Sequence, residues 1–323
     1  MDTQPRRILL TGATGYIGRA VAARLVANGH HVIAMTRGKP PADSADWENL
    51  QVDLGRTGDL ERQLGDRDID AVISCIASRN GEPGDAWRVE YDANLALLAT
   101  ALSRGASQFI LLSAICVQRP RLAFQHAKLA FEAKLQQADI DHTIVRPTAF
   151  FKSLSGQVDR VKRGKPFLIF GNGELTACKP IGNDDLATYL VDCLHDPERR
   201  NCILPIGGPG AAITPREQGE LLFELAGVAP RFRSVPPKLF TAAAAILSPI
   251  GRLIPGIAAK AEFARIAHYY ATESMLLWNP VRERYDADAT PAFGTMTLRE
   301  HYQNVLRDGV VGHEAGEHKL FRD

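Results

Sequence analysis

The run Thr11-Gly12-Ala13-Thr14-Gly15-Tyr16-Ile17-Gly18 constrains the fold more than any other stretch of this 323-residue chain. It follows the apolar segment Arg7 to Thr11 and opens Ile17 to Asn28, in which apolar residues recur every three or four positions. A strand, a glycine turn and a helix in that order gather backbone N–H groups and a helix N-terminus at one point, an arrangement suited to a pyrophosphate. Gly12, Gly15 and Gly18 are expected to admit the phosphates, with Thr14, Tyr16 and Ile17 as neighbouring contacts. A turn that only packs strand on helix would read the same way, so the surrounding pattern has to decide.

That pattern is a series of βα units. Val32 to Met35, Ala71 to Ala77, Phe109 to Ala114 and Thr143 to Arg146 read as further buried strands. Asp59 to Leu64, Tyr91 to Arg104 and Gln125 to Ala138 carry helical periodicity between them. The expected class is α/β, a Rossmann-like doubly wound parallel sheet. After Pro147 the segments shorten, with a hairpin signal at Phe170-Gly171-Asn172-Gly173 and a loop at Pro205-Ile206-Gly207-Gly208-Pro209-Gly210. Residues 1–146 are therefore expected to form the dinucleotide-binding domain. Residues 147–323 are expected to form a smaller α/β lobe, interleaved with the first, that closes over the cofactor and supplies most substrate contacts.

The end of the second strand distinguishes the two nicotinamide dinucleotides, because an acid there suits ribose hydroxyls and a cation suits a 2′-phosphate. Thr36-Arg37-Gly38-Lys39 contains no carboxylate, and Arg37 can pair a phosphate with two hydrogen bonds, so NADPH is favoured. The competing reading is a solvated surface arginine. Asp53 after the third strand is placed to meet the adenine, or serves as a turn or N-cap residue. Ala77-Ser78-Arg79-Asn80 after the fourth strand is placed to meet the nicotinamide side.

Lys plus Arg total 38 against 37 Asp plus Glu, so bulk charge gives no reason to expect a nucleic-acid partner, and a small molecule is expected instead. The five cysteines contain no Cys-x-x-Cys pair, which argues against both a disulfide framework and a metal site. Only Met1 to Pro5 precede the first strand, which suggests a cytoplasmic bacterial setting. Leu239 to Ile257 is apolar, but Pro249, Arg252 and Pro255 interrupt it, so a membrane span is not expected.

The glycine spacing and element order resemble the short-chain dehydrogenase superfamily, in which a Ser or Thr ends strand five and Tyr-x-x-x-Lys lies on the next helix. Ser113 and Lys128 fit those places and are the catalytic candidates, with Lys128 also expected to reach the nicotinamide ribose. The alternative for Lys128 is a surface lysine on an amphipathic helix. Phe124 stands where the superfamily keeps its tyrosine, and a phenyl ring cannot protonate an alkoxide. Carbonyl reduction needs such an acid, whereas reduction of an activated C=C needs a proton at carbon. His126 lies off the Lys128 face of the helix.

A narrower resemblance rests on longer strings. Leu112-Ser113-Ala114-Ile115-Cys116-Val117-Gln118, Phe124-Gln125-x-Ala127-Lys128-Leu129 and Ile144-Val145-Arg146-Pro147-Thr148-Ala149-Phe150-Phe151-Lys152-Ser153-Leu154 are similar to NADPH-dependent divinyl chlorophyllide 8-vinyl-reductases. So are Gly156-Gln157-Val158, Ala177-Cys178-Lys179-Pro180-Ile181, Leu204 to Gly210, Thr214-Pro215-x-Glu217-Gln218-Gly219-Glu220 and Tyr269-Tyr270-Ala271-x-Glu273-Ser274-Met275. The resemblance implies reduction of a C8 vinyl group to ethyl in chlorophyll or bacteriochlorophyll synthesis. Plant members carry a leader that this chain lacks, which points to a photosynthetic bacterium. A vinyl group conjugated to a macrocycle can accept hydride at its terminal carbon, with the proton coming from solvent or from Lys128 through water.

A flat magnesium tetrapyrrole needs an apolar slot with polar anchors. Phe124, Phe150, Phe151, Phe167 and Phe170 are the candidate walls, Lys152 and Lys179 the candidate anchors, and Pro147 a further cofactor contact. Ordinary core packing is the competing reading for each ring. His268, Tyr269 and Tyr270 offer axial contacts to magnesium or burial in a helix. Leu239 to Ile257 reads as an apolar lid or as a rest against the photosynthetic membrane. Two non-enzymatic readings remain, a redox-sensing NADP-binding regulator and a structural subunit with bound NADPH.

Overall fold

Arg7–Thr11 forms β1, whose four residues after Arg7 are buried because both faces of a central parallel strand are covered. The computed structural model describes residues 4–38, 46–56, 58–79, 81–251 and 255–309. Lys39, Asn80 and positions 252–254 of the apolar segment lie outside them. The chain divides into two compact units, Met1–Arg146 with Leu186–Leu204, and Pro147–Asp185 with Pro205–Asp323.

In the first unit, β1 leads through the glycine turn into α1 (Tyr16–Ala27), then β2 (His31–Thr36), β3 (Glu48–Gln51), α2 (Asp59–Leu64) and β4 (Ala71–Ser74). Next come α3 (Pro83–Ala86), a π-helical turn Trp87–Asp92, α4 (Ala93–Ser103), β5 (Gln108–Leu112), α5 (Ala123–Gln136) and β6 (Asp141–Pro147). The chain continues through α6 (Phe151–Leu154), α7 (Val158–Lys162), β7 (Phe167–Phe170) and α8 (Asn183–Asp192) to β8 (Cys202–Ile206), which lies beside β6 at the edge of the main sheet. The sheet order is β3-β2-β1-β4-β5-β6-β8, with parallel pairing throughout β1 to β6. Strand order reverses between β1 and β4, where doubly wound sheets bind ligand beyond the carboxyl ends of their strands.

Helix α1 buries Ile17, Gly18, Val21, Ala22 and Leu25, a stripe at helical spacing. On the sheet and its helices, Leu9, Val72, Leu97, Phe109, Phe131 and Ile144 form one fully buried cluster. The Phe109 and Phe131 rings lie 5.7 Å apart, and removal of either would cost about 3–5 kcal/mol.

The second unit has its own core of Phe151, Val158, Val161, Phe167, Ile169, Leu222, Phe223, Leu298, Tyr302 and Val305. Its later elements are α9 (Pro215–Ala226), β9 (Phe232–Val235), α10 (Lys238–Gly251), α11 (Pro255–Thr272), β10 (Leu277–Asn279), β11 (Arg284–Asp286) and α12 (Leu298–Asp308). Both α9 and α12 start with a Thr cap and a Glu three residues on, Thr214 with Glu217 and Thr297 with Glu300, each pair satisfying the other's N–H.

The hairpin expected at Phe170-Gly171-Asn172-Gly173 does not form. Asn172 Oδ1 accepts from Glu174 N and closes a turn, and β7 pairs in parallel with β9 instead. Strand β4 ends at Ser74, three residues before the expected Ala77. Among the described residues no helix is long and apolar enough to cross a membrane.

Candidate cofactor and catalytic site

The glycine turn leaves no room for side chains. A Cβ at Gly12 would lie 2.5 Å from the Cys75 carbonyl oxygen, and one at Gly18 2.1 Å from the Gly12 oxygen, so strand, turn and helix meet at backbone distance. Gly12 also has φ +76°, a conformation that favours glycine. Gly15 is the N-cap of α1 and offers no side-chain acceptor, and the first turn contains no acid. In contrast with α9 and α12, the positive end of α1 is left without a carboxylate, which fits a pyrophosphate. Thr14 is exposed, Tyr16 half-buried and Ile17 buried.

Arg37 stands exposed at the end of β2. Asp53 organises its own turn: its Oδ1 accepts from Gly55 N at 3.0 Å, and its N–H donates to Asp59 Oδ2 at 2.8 Å. This backbone hydrogen bond holds the Asp59 carboxyl below its ordinary range. The turn role foreseen as the alternative for Asp53 is therefore present, with its side chain still exposed.

Beyond β4, Ala77 is exposed and Ser78 half-buried. Ser78 N donates to Glu90 Oε1 at 2.9 Å, and Ser78 Oγ donates to Asp85 Oδ2 at 2.7 Å. Glu90 belongs to the π-helical turn, a local widening that recurs at functional sites. Its Oε2 lies 2.8 Å from Lys128 Nζ on α5. Lys128 is 7% exposed and Glu90 3%. The surface-lysine reading of Lys128 is thereby overturned, because a buried carboxylate holds its ammonium inside the unit.

Ser113 lies just past β5, where its N–H donates to Val145 O at 2.8 Å. Its hydroxyl donates to Glu132 Oε1, and Arg146 pairs with the same carboxylate. Ser113 and Glu132 are buried. Glu90 and Glu132 were both missed from sequence. Glu132 had a readable signal, since it lies four residues after Lys128 and so one turn along α5. Glu90 had none, because the wider π turn is invisible to a 3.6-residue period.

Phe124 is half-buried in the first turn of α5, where Gln125 Oε1 accepts from Arg121 N and Leu122 N. An open depression of about 620 Å³, lined by Ser107, Gln136, Asp141, His142 and Asn201, lies at the starts of β5 and β6. The opposite ends of those strands carry Ser113 and Pro147, so this depression is not the site described here.

An NAD(P)H-binding family model matches residues 12–197. The chain is 45% identical to the maize divinyl chlorophyllide a 8-vinyl-reductase, over 97% of this chain and 82% of that one. It is 46% identical to the cucumber enzyme of the same name, over 97% and 79%. The chain belongs to the divinyl chlorophyllide a 8-vinyl-reductase family. Its fold is also that of a UDP-glucose 4-epimerase from Thermotoga maritima, with a TM-score of 0.69, 17% identity and coverage of 93% and 97%.

In this vinyl-reductase family member, the candidate pigment residues of the second unit separate by burial. Phe151 is 1% exposed, packs in the core and stacks near His301 at 4.9 Å, so it walls no open slot. Phe167 is buried in the same cluster. Phe150, Phe170 and Lys152 are half-buried. Lys179 Nζ donates to Thr290 O at 2.9 Å, which ties its ammonium to the protein's own backbone. Tyr269 is buried, whereas Tyr270 is exposed and His268 half-buried.

Proposed function

We propose that the chain reduces the C8 vinyl group of a divinyl chlorophyllide, or of its protochlorophyllide precursor, to ethyl with NADPH. The observation that carries this reading is a phenyl ring, Phe124, one helical turn before a buried Lys128, in a chain similar over nearly its whole length to vinyl reductases. Lys128 supplies a cation and Phe124 a ring without a hydroxyl, a pairing that suits an alkene better than a carbonyl.

NADPH bound at the Gly12, Gly15 and Gly18 turn supplies the hydride. Arg37 selects the 2′-phosphate, and the bare N-terminus of α1 takes the pyrophosphate. Ser78 and Ala77 form the wall beside the nicotinamide. Glu90 holds that wall and Lys128 together through its two carboxylate oxygens. Lys128 lies in ion-pair contact with Glu90 and carries three N–H donors, so a ribose hydroxyl or a proton-carrying water can take one of them. Ser113 works as a support: its hydroxyl is committed to Glu132, which also orients Arg146. Phe150 and Phe170 are the aromatic pigment contacts, and Lys152 the cation for a propionate.

Purified protein incubated with NADPH and divinyl chlorophyllide should blue-shift the Soret band while oxidising one NADPH per pigment. Tight NADPH binding with no spectral change would favour a redox-sensing or structural role instead.

A further inference from the structure

Helix α10 presents an apolar surface to solvent. Leu239, Ala242, Ile246 and Pro249 follow one another at spacings of three, four and three, which places them on one face of the helix. Leu239 is 58% exposed and Ile246 65%. Ala244 is buried, Phe240 and Leu247 are half-buried, and α10 packs against α11 with Arg265 Nη2 donating to Ser248 Oγ at 2.6 Å. The inner face of α10 is thus already occupied, and an outer face of a surface helix is ordinarily polar. On α11, Phe263 and Tyr270 are also exposed and lie about two turns apart.

Charge indicates the occupant. From Leu225 to Ala261 the sequence contains Arg231, Arg233, Lys238, Arg252 and Lys260 and no Asp or Glu. Arg231, Arg233, Lys238 and Lys260 are exposed. A symmetric pair of copies meeting on this face would find no acid on α10 to pair its Lys238. An anionic lipid surface can pair the exposed Lys238 of α10 and Lys260 of α11 while burying the apolar stripe. Helix α10 has 14 residues, too few to span a bilayer, and Pro249 interrupts it, so it can lie only in the interface plane.

We propose that the outer face of α10, together with the exposed rings of α11, docks the protein on anionic lipid. The apolar residues enter the headgroup boundary and the flanking cations hold lipid phosphates, each contributing about fivefold to the partition.

The test is co-sedimentation of the full chain with vesicles of phosphatidylcholine alone and of phosphatidylcholine mixed with phosphatidylglycerol. Binding is expected to the mixed vesicles, to weaken with salt, and to fall about tenfold in Leu239→Asp and Ile246→Asp. Both positions are exposed, so the variants should keep the wild-type melting temperature and turnover of detergent-dispersed pigment. Should either variant lose stability, Lys238→Glu with Lys260→Glu asks the same question through charge. No binding of the wild type to mixed vesicles overturns the proposal. So does unchanged vesicle binding by the variants. A concentration-dependent dimer that Ile246→Asp dissolves assigns the face to a second copy, and lost turnover with vesicle binding intact assigns it to a lid. Either result also overturns it.

Discussion

Lys128 Nζ lies 2.8 Å from Glu90 Oε2, and both side chains are almost wholly withdrawn from water. A buried pair of this kind adds little net stability, but removing one partner strands the other charge at a cost of about 3–5 kcal/mol. Lys128→Met is therefore expected to lower both turnover and stability. The double variant Lys128→Met with Glu90→Gln should recover stability in urea denaturation while staying inactive. Recovery of activity by the double variant would show that Lys128 serves the fold alone.

Ser113→Ala removes one hydroxyl from Glu132 but leaves Arg146 paired with that carboxylate. The expected loss is about 1.5–3 kcal/mol of stability, with less than about a tenfold change in turnover. A collapse of turnover matching that of Lys128→Met, at unchanged NADPH affinity, would make Ser113 a catalytic residue.

Arg37→Glu replaces the cation at the end of β2 by an acid. Charged hydrogen bonds are worth about 1.5–3 kcal/mol, so the NADPH KM should rise roughly tenfold to a hundredfold while the NADH KM changes little. Steady-state kinetics with both dinucleotides decide the matter, and an equal loss for both would remove Arg37 from the 2′-phosphate site.

His301 packs on Phe151 and lies 2.7 Å from Ser155 Oγ, and burial lowers its pKa from 6.5 to about 4. The fold thus holds the neutral ring. Its contribution to stability is fully present above pH 6.5 and is lost as pH falls toward 4, where the unfolded chain takes up the proton first. His30 and His195, whose ring nitrogens approach to 3.2 Å in the first unit, are lowered by burial and add to the same trend. Urea midpoints measured down this pH range should decline less steeply in His301→Gln than in the wild type.

Elements with strong local signals were legible in the sequence. Strand β1 and helix α2 begin and end at the expected residues, because an unbroken apolar run and a helical period mark them unaided. Strand β3 has only Leu50 buried and so carries no apolar run to read. Strand β4 ends at Ser74, and the next residue, Cys75, passes against Gly12 at backbone distance, a long-range contact that no local pattern encodes. Of the candidate site, the close meeting of strand and helix at Gly12 and Gly18 was legible in the glycine spacing. The carboxylates of Glu90 and Glu132 were not, since each finds its partner through tertiary packing. Phe150 and Phe151 are adjacent and alike in sequence, yet one is half-buried and the other in the core, a difference set by which side of the chain the second unit packs.

Isotope tracing tests the central claim most directly. With NADPH deuterated on the transferred position, the ethyl group of the product should carry one deuterium on its terminal carbon. In deuterated water with ordinary NADPH, the label should appear on the inner carbon. An ethyl group free of deuterium from labelled NADPH, or a product whose vinyl group survives while NADPH is consumed, would contradict vinyl reduction by this protein.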